Sequence, residues 1–477
     1  MLRRLCAPAL LLLAALPAQA ANLDVTASYK MRALDYQNLN LASDKNAQDN
    51  HSFIANDARL GIAVRKIELE PKGGEMMTMD VAVTLRALGT TGATGSSSTV
   101  RSAPFDHIAA NYPSADFTPF FENAYIRVNH FLGYPLEATF GRQNYRLGSG
   151  LLLDDDGAGL TGITVRGDLP WWGMKAEGFV FADRDSLMAS QDNASNSLAL
   201  FGFAMDLPSE GVWQLNQLFE RDRAAQQVYG CSYPSSGGLL PPTDACYASK
   251  TLKSFTSVRY SLNYGPMVFD GEAAIEKGLA APIGNPSDTT TNTPPGRITY
   301  NSNAQVGRAK WKMPLPRLGE GIARLSLARG SGDKADTPTR DEAFFPAHGH
   351  QFNGLDRSGF GDFFGATPYN AFGGNYGSTT TASGLQQGNS GIVVIGIGYT
   401  PPAYKGYILD VDYFLFQSER AVNDSHALGG EWDFRLRYNV QDRFGISLSA
   451  ALFKAGSASA AKGISAKKYA LEAFGKF

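Results

Sequence analysis

Between Gly430 and Asn439 the chain alternates with a period of two. Glu431, Asp433, Arg435, Arg437 and Asn439 occupy one face of an extended segment, and Trp432, Phe434, Leu436 and Tyr438 the other. A strand that is polar on one face and large and apolar on the other needs two unlike surroundings. A transmembrane barrel supplies them as a water-filled lumen and a lipid exterior. The ribbon recurs. Val258, Tyr260, Leu262 and Tyr264 oppose Ser257, Arg259, Ser261 and Asn263; Phe269, Ala273 and Ile275 oppose Asp270, Glu272 and Glu276; Leu409, Val411 and Tyr413 oppose Asp410 and Asp412. One such strand fits a half-buried soluble sheet, whereas a series of them with regular connections fits a barrel.

The connections alternate in length. Short turns fall near 69–75, 132–135, 168–172, 206–210, 265–266, 314–319, 401–404 and 440–442, and long polar segments near 34–52, 89–119, 147–157, 182–197, 222–250, 278–301, 331–390, 418–428 and 454–466. They separate strands at 22–33, 53–68, 76–88, 120–131, 136–146, 158–167, 173–181, 198–205, 211–221, 251–264, 266–277, 302–313, 320–330, 391–400, 405–417, 429–439, 443–453 and 467–477. The pattern predicts an all-β fold: a closed antiparallel transmembrane β-barrel, with about eighteen strands and sixteen as the alternative, short periplasmic turns and long extracellular loops. Trp171, Trp172 and Trp432 are candidates for its interfacial aromatic belts.

Residues 1–20 read as a secretory signal: Arg3 and Arg4 lead an apolar run from Leu5 to Leu16, and Ala18-Gln19-Ala20 fits the small-x-small cleavage rule. The barrel would then occupy 21–477, placing the protein in the outer membrane of a Gram-negative bacterium. After the signal there is no uncharged apolar run long enough for a transmembrane helix. Subtracting the two signal arginines from 43 basic residues leaves 41 against 45 acidic ones, a balance that argues against a nucleic-acid partner. Cys231 and Cys246 remain, both in a Ser/Pro/Gly-rich stretch, and in an exported chain such a pair is expected to form a disulfide at a loop tip. At the other end, Tyr469, Leu471 and the terminal Phe477 share one face of the last strand. They form an expected assembly signal for the barrel-assembly machinery, and outer-membrane lipid is the expected surrounding.

Two segments resemble the alginate-export family of outer-membrane porins. The first runs Phe121-Glu122-Asn123-Ala124-Tyr125-Ile126, Tyr134-Pro135, Phe140-Gly141-Arg142-Gln143 and Gly148-Ser149-Gly150 to Asp154-Asp155-Asp156; the second is Ala328-Arg329-Gly330-Ser331-Gly332-Asp333-Lys334. Together they cover about a fifth of the chain. The resemblance implies an eighteen-stranded channel that passes an anionic polysaccharide or oligosaccharide through an arginine-lined lumen. General or nutrient uptake of polar solutes, and a plugged structural barrel, are the alternatives.

Candidate pore-lining residues follow from the strand faces. Arg127, Arg142, Arg146, Arg166 and Arg259 are expected along the first part of the barrel, with Gly141 marking a bulge that turns Arg142 inward. Arg308, Lys310, Arg324 and Arg329 come next. Asp410, Asp412, Glu431, Asp433, Arg435 and Arg437 complete the set and offset much of a positive field. Each also reads as a cross-strand ion-pair partner.

No catalytic signature stands out: there is no G-x-S-x-G elbow, H-E-x-x-H or C-x-x-C-H. An outer-membrane enzyme would need a rim pair involving His107 or His426. His348 and His350 lack a third ligand for a metal site, and Asp154-Asp155-Asp156 reads as a solvated acidic turn, with Ca²⁺ as its other reading. No cofactor is expected. The 331–390 segment, rich in Phe and Gly, is far longer than a connection requires and is expected to cover or narrow the outer mouth as a gate or plug.

Overall fold

The computed structural model describes residues 22–38, 41–48, 50–69, 76–91, 118–155, 157–169, 173–183, 198–222, 226–228, 246–283, 298–317, 319–334, 340–346, 360–365, 391–422, 424–441, 443–458 and 461–477. The signal segment, Cys231, Trp171, Trp172, Asp156, His107, His348 and His350 lie outside them. Among the described residues, one antiparallel sheet closes on itself through 18 strands. These are β1 (Asn22–Gln37), β2 (His51–Glu68), β3 (Thr78–Thr91), β4 (Thr118–Asn129), β5 (Leu136–Gln143) and β6 (Leu160–Leu169). There follow β7 (Met174–Asp183), β8 (Leu198–Pro208), β9 (Val212–Asp222), β10 (Cys246–Tyr264), β11 (Met267–Ile283) and β12 (Ile298–Leu315). The last are β13 (Gly319–Gly330), β14 (Ile392–Thr400), β15 (Tyr407–Val422), β16 (Ser425–Val440), β17 (Phe444–Ala455) and β18 (Ser465–Lys476).

Each strand pairs with the next. The seam closes where β1 meets β18, in register from Ser28 opposite Lys476 to Gln37 opposite Lys467. The terminal residue completes it: Ala27 N donates to the Phe477 carbonyl at 3.2 Å and Phe477 N to the Ala27 carbonyl at 3.0 Å. Closure leaves no open sheet edge, as a membrane-spanning sheet requires.

Side chains sort by parity as the alternation requires. On β16, Glu431 and Asp433 are buried inside while Trp432, Phe434, Leu436 and Tyr438 face out. A continuous apolar exterior is the signature of a lipid-facing wall. Its aromatic girdle lies at the short-turn end, where Tyr134, Trp213, Tyr264, Trp311, Tyr404 and Phe444 are exposed. Trp432 stands on the same outer wall.

One connection differs from expectation. The polar stretch 418–428 is not a long loop: β15 and β16 extend through it and leave only residues 423–424 between Val422 and Ser425. Its polarity marks strand ends rising beyond the membrane, where outward residues also meet water.

Candidate functional site

Two segments of the long-loop end fold into the lumen: the first and the start of the second share one wall, and the later turn of the second packs on the opposite one. The first, residues 144–155 and 157–159, follows β5. Its Tyr145, Leu147, Leu151, Leu152 and Leu153 are buried against inward residues of β7 to β12, among them Phe179, Phe181, Leu200 and Phe255. Polar contacts fix its tip. Glu272 accepts Ser149 N at 2.7 Å and Ser149 Oγ at 2.5 Å, and Arg259 donates to the Gly148 carbonyl at 2.9 Å. Gly148 has φ +62°, and a Cβ there would stand 2.7 Å from the Glu272 carboxylate, so only glycine admits this docking. The base of the loop is tied by Asp155, which accepts from Asn144 Nδ2 at 2.6 Å and Gly159 N at 2.8 Å. Burial raises its carboxyl above the ordinary value. Asp154 pairs with Arg146 at 3.3 Å. Asp154 and Asp155 therefore serve as loop ties instead of a solvated turn. Among the described residues no cluster of three or more His, Cys, Asp or Glu is arranged to hold a metal.

The second segment follows β13. Residues 340–346 dock on β10 and β11: Phe345 N donates to Glu276 at 3.0 Å, and Lys253 Nζ reaches the Phe345 carbonyl at 2.8 Å and Glu276 at 3.1 Å. Burial lifts two of the segment's carboxyls, Asp333 to about 6 and Asp341 well above its ordinary range. Further along, the turn 360–365 enters the opposite side. Phe363 and Phe364 stack on Phe453 at 5.6 and 5.2 Å, and Phe364 on Phe416 at 4.3 Å. Glu431, fully buried, accepts Phe363 N at 2.6 Å and Phe364 N at 2.9 Å. Asp433 accepts Asp362 N at 2.9 Å, and Lys468 Nζ donates to the Asp362 carbonyl at 2.6 Å. Gly361, at φ +82°, passes so close to Glu431 that a Cβ would lie 2.8 Å from its carboxylate.

Between this turn and the wall formed by β12 to β16 lies a polar cavity of about 290 Å³. Arg308, Lys310, Arg324, Arg435 and Arg437 line it against Asp362, Asp410 and Asp412, five basic side chains to three acidic. Arg324 binds Asp412 at 2.9 Å and Asp410 at 3.3 Å; Arg437 holds the other oxygen of Asp410 at 2.9 Å. Thr400 Oγ1 donates to Asp410 at 2.6 Å. Arg435 lies 3.5 Å from Glu472, which also takes the buried Arg32 at 2.6 Å. The Arg308 guanidinium sits over the Phe360 ring, 5.2 Å from its centroid. Around these ion pairs the lining carries five basic side chains to three acidic ones, an excess of positive charge.

The predicted lining residues thus divide. Arg308, Lys310, Arg324, Arg435, Arg437, Asp410 and Asp412 meet at the cavity. Arg259 is also inside, bidentate to Asp270 at 2.8 Å, and Arg146 enters on the first inward loop. Arg166 pairs with Glu177 at 2.8 Å, and Arg127 with Glu137 at 3.5 Å, both toward the short-turn end. Glu431 and Asp433 face in but hold the Phe turn and do not line open water.

Two expectations require correction. The register runs unbroken through Gly141, and the irregularity lies in β4, where Glu122 is the extra residue between Phe121 and Asn123. Arg142 therefore shares the outward face with Phe140 and Ile163, its guanidinium held by the Phe121 and Ala158 carbonyls at 2.9 and 2.6 Å. Arg329 shares the outward face of Leu325 and Leu327 and pairs at the rim with Glu419 at 3.0 Å. Lys253, Glu272 and Lys468 were missed as loop-holding groups. The signal for the first inward loop was present: Leu151-Leu152-Leu153 in an exterior connection has to be buried somewhere.

The chain is similar in fold to solved porin structures. It aligns with a BenF-like porin from Pseudomonas fluorescens Pf-5 at TM-score 0.53 and 10% identity, over 96% of this chain and 99% of that one. With OccAB1 from Acinetobacter baumannii the TM-score is 0.52 at 11% identity, covering 95% and 96%. OccAB4 from the same organism gives 0.51 at 9%, covering 95% and 98%. No protein-family model and no curated protein matches the chain. The shared architecture is that of a Gram-negative outer-membrane barrel.

Proposed function

We propose that this protein is a porin-type channel that admits small polar solutes across the outer membrane, with a preference for anions set at the inner cavity. The observation that carries this reading is the lining of that cavity: five basic side chains against three acidic ones beside an inward Phe turn. A carboxylate entering this lining exchanges part of its hydration for fixed guanidinium donors, which bind carboxylates through charge-assisted hydrogen bonds. The likeness to porins of solved structure supports the same class.

Export of an anionic polysaccharide, which the alginate-export resemblance implies, has weaker support. Arg142 and Arg329, which carry its motifs, are held by carbonyls and by Glu419 away from the lumen. A polymer would also require both inward segments to leave.

The test is liposome swelling with solutes of matched size. A small monocarboxylate is expected to enter faster than its neutral amide, and an amine of the same size slowest. Equal rates for all three, or no swelling at all, would reject the reading, the second outcome favouring a plugged barrel.

A further inference from the structure

The lipid-facing wall carries a groove of about 880 Å³ across the barrel seam. Two adjacent outward rows form it. In one, Ala33 stands opposite Leu471, Leu471 opposite Leu448, Leu448 opposite Leu436 and Leu436 opposite Leu409. In the other, Asp35 stands opposite Tyr469, Tyr469 opposite Ala450 and Ala450 opposite Phe434. Ala33 and Ala450 make the floor, and the exposed Leu, Phe and Tyr side chains make the walls. Because rows of partners run across tilted strands, the groove slopes from the long-loop end at β1 and β2 toward the short-turn end at β15.

A charged feature stands over its outer end. Lys467 and Lys454 are exposed on the same outward face as Tyr469 and Leu452. Lys454 is registered with Ser465, so the two lysines are diagonal neighbours, about 7–8 Å apart along the sheet. Neither has an ion-pair partner among the described residues. Asp35, the groove's carboxylate, is engaged by Ser52 Oγ at 2.5 Å and Gln37 Nε2 at 2.9 Å. Elsewhere on this rim the outward Arg329 is neutralised by Glu419. Asp35 lies diagonal to Lys467 and keeps its charge, so this face carries two positive charges against one negative, a net positive site at headgroup depth above an apolar trough. A ligand fitting both is an amphiphile with an anionic head and long acyl chains.

We propose that the β16–β17–β18–β1 face binds one molecule of the anionic glycolipid of the outer leaflet, its headgroup phosphate on Lys454 and Lys467 and an acyl chain in the groove. This site is independent of the lumen and of whatever the channel carries. The experiment is native mass spectrometry of the full barrel, refolded into detergent, with purified lipid A and with zwitterionic phosphatidylcholine as control probe. Wild type is expected to retain one lipid A through delipidation and to bind the control weakly. K454Q/K467Q is expected to weaken lipid A binding about thirtyfold, and A450W, which fills the floor and leaves the lysines intact, to weaken both lipids. Heat-modifiable migration verifies that each variant is folded. Equal lipid A retention by wild type and both folded variants would overturn the proposal. So would a second copy of the chain occupying this face in place of lipid.

Discussion

Replacing Glu431 with alanine tests how the inner cavity is built. The carboxylate accepts two backbone N–H groups of the Phe turn, at 2.6 and 2.9 Å, inside a wall that excludes water. Such charge-assisted bonds contribute about 1.5–3 kcal/mol each. Burial of Phe363 and Phe364 against Phe416 and Phe453 adds about 1.5–3 kcal/mol per ring. Ordering the six residues 360–365 costs about 1–2 kcal/mol each, so gain and cost nearly balance. Losing the clamp, about 3–6 kcal/mol, shifts the seated and released populations by roughly two to four powers of ten. The turn should then spend most of its time unseated. In single-channel recordings Glu431→Ala is expected to show larger conductance and more open-channel noise than wild type. Glu431→Gln, which keeps one acceptor oxygen, should fall between. A folded Glu431→Ala barrel with wild-type conductance and noise would refute the clamp.

Three further outcomes are expected. Asp333 has its carboxyl lifted from 3.8 to about 6, and Asp341 shifts in the same direction. With residues 331–334 and 340–346 docked, the segment then holds more protons than when released, so its docking is strongest below about pH 4 and weakens as pH rises through 6; channel noise should increase between pH 4 and 7, and flat or falling noise would contradict this. Cys231 and Cys246 should appear as one cross-linked peptide in unreduced digests of surface-exposed protein, and two freely alkylated thiols would reject the pairing. Deleting Phe477 removes the residue whose backbone closes onto Ala27 and whose ring faces outward; folded outer-membrane protein should fall, and unchanged abundance would count against its role as an assembly signal.

Strand existence was legible because lipid and lumen impose opposite chemistry on neighbouring residues, as along Glu431 to Tyr438. Face assignment follows from parity along each strand: Arg329 shares the face of Leu325 and Leu327, and Arg142 that of Phe140, through unbroken register. The extra Glu122 in β4, by contrast, has no signature in the spacing. Inward loops were only half legible. The aromatic content of 331–390 pointed to burial, and Phe360, Phe363 and Phe364 are indeed buried. The Leu151-Leu152-Leu153 run carried the same message for 144–159 but stood in a stretch that otherwise read as a polar connection. Which carboxylates would hold loops instead of facing water, Glu272 and Glu431 above all, depends on backbone N–H groups brought from distant segments, and no local pattern encodes that.

Whether guanidinium groups at the inner cavity set charge preference is read from the reversal potential of single channels under a potassium chloride gradient. Wild type should be anion-selective. Arg324→Gln/Arg437→Gln, which leaves Asp410 and Asp412 without those partners, should move the reversal potential toward cation selectivity. A cation-selective wild type, or a reversal potential that the double substitution leaves unchanged in an open channel, would contradict the account.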